Sequence, residues 1–151
     1  MKPAHRLRQA VNLVNLSTPL GLLLAAAGTR APRRVVRGPG GLLVAGGYRL
    51  PLPVAPVFTV GNVLLVRGKA EALLGRPALL RHEARHATQY AFCLGPVMIP
   101  LYLVCAGVSL LLSGDYASHN PFERLAGLEE GGYQRRPLRR PWRPPRRSPG
   151  R

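Results

Sequence analysis

Pro77 and the Gly95-Pro96 pair bracket the one stretch of this chain whose conformation is fixed by its own punctuation. Proline at a first helical position costs no hydrogen bond, and Gly-Pro stops a helix. The residues between, ALLRHEARHATQYAFCL, predict a helix of about 18 residues and about 27 Å. Leu80, Ala84, Ala87, Ala91 and Leu94 recur at helical spacing and define an apolar stripe. Arg81, Arg85 and Thr88 take a second side. His82, Glu83, His86 and Tyr90 take a third, turned away from the stripe.

His82-Glu83-Ala84-Arg85-His86 spells HExxH within that helix. Residues four apart lie one turn apart on the same face, so both imidazoles can reach a single Zn²⁺. Glu83 beside them suits a general base acting on a water at the metal. With only four His and six acidic residues in the chain, chance seldom assembles this pattern. A zinc site that does chemistry takes three protein ligands and keeps one position open. Asp115, His119 and Glu123 are the downstream candidates for the third. The longer motif HExxHxxGxxH is excluded, because Gln89 and Phe92 stand where glycine and histidine would be. Glu123 is the first choice, since Ala126 follows one turn on and this ExxA arrangement can present a carboxylate inward. The competing reading makes Asn120 an N-cap and Glu123 the N3 partner of a capping box. His119 is the reserve ligand. Gln89 is read as an outer contact to a ligand histidine, and Tyr90 as core aromatic before any helper at the metal.

The rest of the chain bounds the fold. At 151 residues it holds one small domain plus tails and excludes a large multidomain enzyme. The two cysteines, Cys93 and Cys105, sit in apolar runs and read as filler, not as a disulfide scaffold. No Gly-X-Y period or sustained heptad occurs, so collagen and coiled coil are out. A basic start, Met1–Arg8, precedes the apolar stretch Ala10–Ala27, which is broken by Asn12, Asn15, Ser17 and Pro19. It half fits a signal peptide, but Arg30, Arg33, Arg34 and Arg37 follow at once and disfavour export. The stretch reads as a short membrane-surface or core helix. Gly38–Pro56 reads as irregular chain, and Val57–Val66 as a strand with a bulge or turn-in at Asn62. Val97–Leu112 is apolar on every side and borderline in length for a bilayer span.

Phe58-Thr59-Val60-Gly61-Asn62, followed by Leu79-Leu80-Arg81-His82-Glu83-Ala84-Arg85-His86 and Gln89, resembles the small metallopeptidase domain of extracellular contractile injection system effectors. More broadly the chain is similar to gluzincins, in which the HExxH histidines and a downstream Glu on a second helix hold zinc. The resemblance implies His82, His86 and Glu123 as zinc ligands and Glu83 as base. It covers Phe58–Gln89 well and Asn120–Gly127 loosely, and nothing of Met1–Pro56. The apolar Val97–Leu112 and the Arg-rich tail depart from it.

These readings give a mainly α fold with a minor β element: a minimal zincin-like helical hairpin carrying HExxH, one or two strands, and a disordered basic C-terminal tail. The expected division is 1–37 as a basic N-terminus with its apolar segment, 38–133 as the zincin-like domain, and 134–151 as the Arg/Pro-rich tail. A lone span at Val97–Leu112 would strand Glu123 about 30 Å from His82. The apolar helix is therefore expected to fold back antiparallel on the HExxH helix, buried or half embedded. The strand Val63–Val66 is expected to lie beside the metal and hold an extended peptide by β-augmentation. The expected function is a zinc-dependent metallopeptidase acting on a peptide or protein substrate at the cytoplasmic face of a membrane, with a soluble cytoplasmic protein as the alternative. The rivals are a non-catalytic small membrane protein and an adaptor whose basic tail holds anionic lipid or nucleic acid. The net charge of +16 is nearly all arginine, with only Lys2 and Lys69 as lysines. It reads as coding bias and a solvated tail, not as a nucleic-acid footprint. The sequence carries no signal for an oligomeric state.

Overall fold

The computed structural model describes residues 2–29 and 35–139. Helices dominate: α1 (Pro3–Val14), α2 (Ser17–Gly28), α3 (Ala70–Leu74), α4 (Pro77–Phe92), α5 (Met98–Ser113) and α6 (Pro121–Ala126). Four short strands, β1 (Val35–Arg37), β2 (Leu43–Gly46), β3 (Val57–Val60) and β4 (Val63–Val66), form one sheet in the order β1-β2-β4-β3. β2 and β4 run parallel, and the outer pairs are antiparallel.

The sheet corrects two expectations. It has four strands where one or two were expected, because β2 lies inside Gly38–Pro56, which read as irregular chain. The run Val57–Val66 is a hairpin that turns at Gly61-Asn62, not one bulged strand. β4 is buried along its whole length, which is why its residues show no polar alternation. Val63 and Leu65 pack with Tyr90, Met98 and Ala25 of the helices, while Leu64 and Val66 pack with Leu73, Leu80 and Ala87.

α1 and α2 meet at a 73° bend held by polar side chains. Asn12 is fully buried and donates to Asn62 Oδ1 (3.2 Å) and to the Ala87 carbonyl (2.8 Å). Arg8 donates to the same Asn62 oxygen and to the Gly40 carbonyl, and Asn15 donates to the Tyr90 carbonyl. These bonds tie the N-terminal helices to the hairpin turn and to α4. Gly95 sits so close to this corner that a Cβ there would stand 2.5 Å from the Asn15 carbonyl oxygen.

α4 has the expected limits, but the face it buries is not the expected one. His82, Glu83, His86 and Tyr90 are buried with Leu80 and Ala87, while Leu94 is exposed and Ala84 and Ala91 are half-buried. The reason is that α6 and the chain after it cover the histidine face. α5 is not buried as a hairpin partner of α4: most of its side chains are exposed. At the start of the expected tail, Arg136 N donates to Ser118 Oγ and Arg139 N to the Leu112 carbonyl. The remainder of that tail, and Arg30, Arg33 and Arg34, lie outside the described residues. Cys93 and Cys105 are free thiols.

Candidate metal centre

α4 projects His82 and His86 from successive turns, and α6 brings Glu123 against them. Asn120 caps α6 by accepting from the Phe122 amide at 3.0 Å. The Glu123 carboxylate takes no part in a capping box and turns inward to the imidazoles. Its other oxygen, Oε1, accepts from the Tyr102 hydroxyl of α5 at 2.5 Å.

The outer nitrogens fix which way the rings present their lone pairs. The Gly127 carbonyl, 3.0 Å from His82 Nδ1, can only accept, so that nitrogen carries the hydrogen. Gln89 donates its amide nitrogen to the Phe122 carbonyl and so offers Oε1 to His86 Nδ1 at 2.8 Å. Both Nε2 atoms therefore face inward as acceptors. His82 Nε2 lies 3.1 Å from His86 Nε2 and 3.2 Å from Glu123 Oε2, and His86 Nε2 lies 3.6 Å from the same oxygen. Glu123 Oε2 is buried and receives no hydrogen bond. Three electron-rich atoms crowd one point, and only a proton or a cation among them relieves the repulsion.

The spacing fits a metal. Ligand atoms roughly 2.0–2.1 Å from a tetrahedral ion stand about 3.3 Å apart, within the observed range. The buried His82, His86 and Glu123 group can hold a metal ion, and it is the one such cluster found among the described residues.

Comparison with protein-family models, curated proteins and solved structures returns no match for this chain. What the site can do rests on its own chemistry.

Glu83 accepts from the Thr59 hydroxyl of β3 at 2.6 Å. Burial raises its carboxyl above the usual carboxylate range; the charge at His86, the Thr59 hydroxyl and the charge at His82 oppose this without cancelling it. Burial works to raise the Glu123 carboxyl as well. There the His82 and His86 rings, which can donate to it once protonated at Nε2, and the Tyr102 hydroxyl win, and bring it down to about 2. Burial works to lower the His82 imidazole, but the hydrogen bond that its protonated form can make to Glu123 and the charges of Glu83 and Glu123 lift it above its ordinary value. A proton on His82 thus competes with a cation for the same three atoms.

The chain after α6 forms a strap across the centre. Gly131 lies on the His82 ring, where a Cβ would stand 2.6 Å from Cε1. Tyr133 stacks obliquely on His82 at 5.9 Å between centroids, and its hydroxyl meets that of Tyr116. Glu130 latches the strap to Arg81 and Arg85 of α4. A cleft of about 140 Å³ between Pro56, Val57, Leu79, Gly131 and Tyr133 reaches Glu83.

The remaining candidates fall elsewhere. His119 Nε2 meets the Arg136 carbonyl, and Asp115 accepts from Ser118, so neither reaches the histidines. Tyr90 packs in the core with Val63 and Met98. Gln89 makes the outer contact expected of it. β4 is flanked by β2 and β3 and has no free edge for a peptide; the free edge on this side is β3, which carries Thr59. Tyr102, Tyr133 and Gly131 carry no motif, and Thr59 stands inside the Phe58–Asn62 phrase, which gave it no role. Of the first three only Tyr102 had a signal, as the one aromatic residue in Val97–Leu112.

Proposed function

We propose that this protein is a zinc-dependent metallopeptidase. The observation that supports it is the convergence of two imidazole lone pairs and an unsatisfied carboxylate oxygen beside a second, protonatable carboxyl. His82, His86 and Glu123 would hold the metal, whose donor set of two nitrogens and one oxygen is one that zinc favours and that leaves a position open. When bound, zinc supplies Lewis acidity that polarises a peptide carbonyl and acidifies water.

The other work belongs to the chain. Glu83 takes the proton of the attacking water and returns it to the leaving amine. Its raised pKa brings it nearer the working pH, where a base both accepts and releases a proton efficiently. Thr59 orients that carboxyl. Gln89 and the Gly127 carbonyl fix the ring orientations, and Tyr102 holds Glu123. The free edge of β3 suits an extended peptide laid antiparallel to it, leading to the cleft at Glu83.

The test is metal content beside peptidase activity. Wild type is expected to carry about one zinc per chain and to cleave a peptide library. Glu83→Gln is expected to keep the metal and lose cleavage by at least about 10²-fold. His82→Ala and Glu123→Ala are expected to lose both. Undiminished cleavage by Glu83→Gln would overturn the assignment.

A further inference from the structure

Three helices of this protein bury polar side chains while leaving large apolar ones exposed. In α5 the residues turned toward the protein include Tyr102, Ser109 and Ser113, and the hydroxyls of both serines are hydrogen bonded. The opposite stripe, Leu101, Val104, Val108 and Leu111, is exposed at helical spacing, with Leu111 78% exposed. In α1 and α2 the buried residues are Arg8, Asn12, Ser17, Thr18 and small residues, while Leu13, Val14, Leu22 and Leu23 are exposed. A water-facing helix places these classes the other way round.

The exposed apolar groups are also contiguous. The α1–α2 corner shows Val14 (82% exposed) and Leu16, and the α4–α5 corner shows Phe92 (84%) and Leu94. The two corners touch through Asn15, which bonds the Tyr90 carbonyl and packs on Gly95. α2 and α5 both leave from there. The apolar surface therefore takes in both corners and continues along two helices, which marks it as an interaction surface. Basic residues border it: Lys2 and Arg6 at the start of α1, and the exposed Arg135, Arg136 and Arg139 near the end of α5. Arginine and lysine at the margins of an apolar face match anionic phospholipid headgroups.

We infer that this surface seats the protein in one leaflet of an anionic phospholipid bilayer, with α5 lying along the interface and not crossing it. Gly95–Ser113 is long enough to cross, at 19 residues. Its far end, however, is bonded to a polar segment that returns to the metal centre: Ser109 Oγ donates to the Asp115 carbonyl and accepts from His119 N, and Leu112 accepts from Arg139 N. Crossing would sink the returning segment, with Glu123 and the histidines it meets beside Tyr102 in mid-helix, into hydrocarbon without its water. An interfacial seat keeps them at the headgroups and sinks only the aliphatic stripe and the two corners. The inference goes beyond the peptidase reading and holds whether or not the centre binds zinc.

The test is flotation of the full chain with phosphatidylcholine vesicles and with vesicles containing one quarter phosphatidylglycerol. Binding to both is expected, stronger for the anionic ones, and resistant to 1 M NaCl and to alkaline carbonate. Val104→Asp/Val108→Asp, on the exposed stripe, is expected to lower the salt-resistant bound fraction at least tenfold with circular dichroism unchanged. Should that variant fail to fold, Phe92→Trp in a Trp142→Phe background gives a second reading, with fluorescence quenched by lipids brominated on the acyl chains. Release of all protein by 1 M NaCl, a tryptophan that brominated acyl chains leave unquenched, or a detergent-free dimer burying the stripe would each overturn the inference.

Discussion

Tyr102, the one aromatic residue of α5, donates to Glu123 and sets the carboxylate that faces the two histidines. Replacing it with phenylalanine removes one hydrogen bond and no volume from the packing. Tyr102→Phe is expected to weaken zinc binding about 10–100-fold while leaving thermal unfolding of the metal-free protein within a few degrees; a chelator competition titration reads the first and calorimetry the second. His82 sets the pH response. Burial works to lower its folded pKa, but Glu123 and Glu83 lift it. Only a neutral ring can bind metal, so zinc affinity of the proposed site is expected to be full above that raised pKa and to decline as pH falls through it. Glu123 stays ionised down to about 2 and contributes nothing to that decline. Equilibrium dialysis from pH 8 to pH 5 is expected to show affinity dropping up to about tenfold per pH unit below the His82 transition. HExxH was legible because both rings and the base share one short helix. Tyr102 and Gly131 were not, and Thr59 stood only as one letter of the Phe58–Asn62 phrase, because each enters from a different part of the chain and owes its role to a contact that no local spacing encodes.

At the scale of elements, α6 is too short to hold itself and depends on its cap and on α4. Asn120→Ala removes the side chain that accepts from the Phe122 amide. The expected cost is about 1 kcal/mol of stability, together with a drop in zinc affinity, since Glu123 loses its fixed approach; urea unfolding and the same chelator titration measure the two. The α1–α2 corner depends on Asn62, whose side chain accepts from both Arg8 and Asn12 in the interior. Asn62→Ala strands two buried donors and is expected to lower the unfolding free energy by about 1–3 kcal/mol per stranded donor. The helices α4 and α5 were readable from Pro, Gly and apolar period alone. β2 was not: four residues ending in glycine have no period to read, and what makes Leu43–Gly46 a strand is parallel pairing with β4, twenty positions away in the chain. The hairpin was half legible, since Gly61-Asn62 marked a break but nothing local said whether the chain would bulge or reverse. The expected edge shifted from β4 to β3 for the same reason: strand order is a property of the sheet and not of either strand.

Over the whole molecule, the sequence told the apolar segments from the polar ones but not which side of each helix the fold would use. Ala84, Ala91 and Leu94 look like part of the buried side of α4, yet the histidine side is the one covered, because a later segment of the chain lies over it. That strap has a kinetic consequence. Gly131 on the His82 ring and Tyr133 beside it cover the centre on that side. For a zinc held there, removal by a chelator is expected to wait for the strap to lift. Zinc removal is therefore expected to follow a single rate that stops rising with chelator concentration, the rate of lifting itself. The Glu130 latch to Arg81 and Arg85 is near the surface, where added salt weakens ion pairs. The limiting rate is expected to climb as salt is raised from 0.05 to 0.5 M and to lose that dependence in Glu130→Gln. Stopped-flow with a zinc-responsive dye follows both, and what it times is how often the strap lifts.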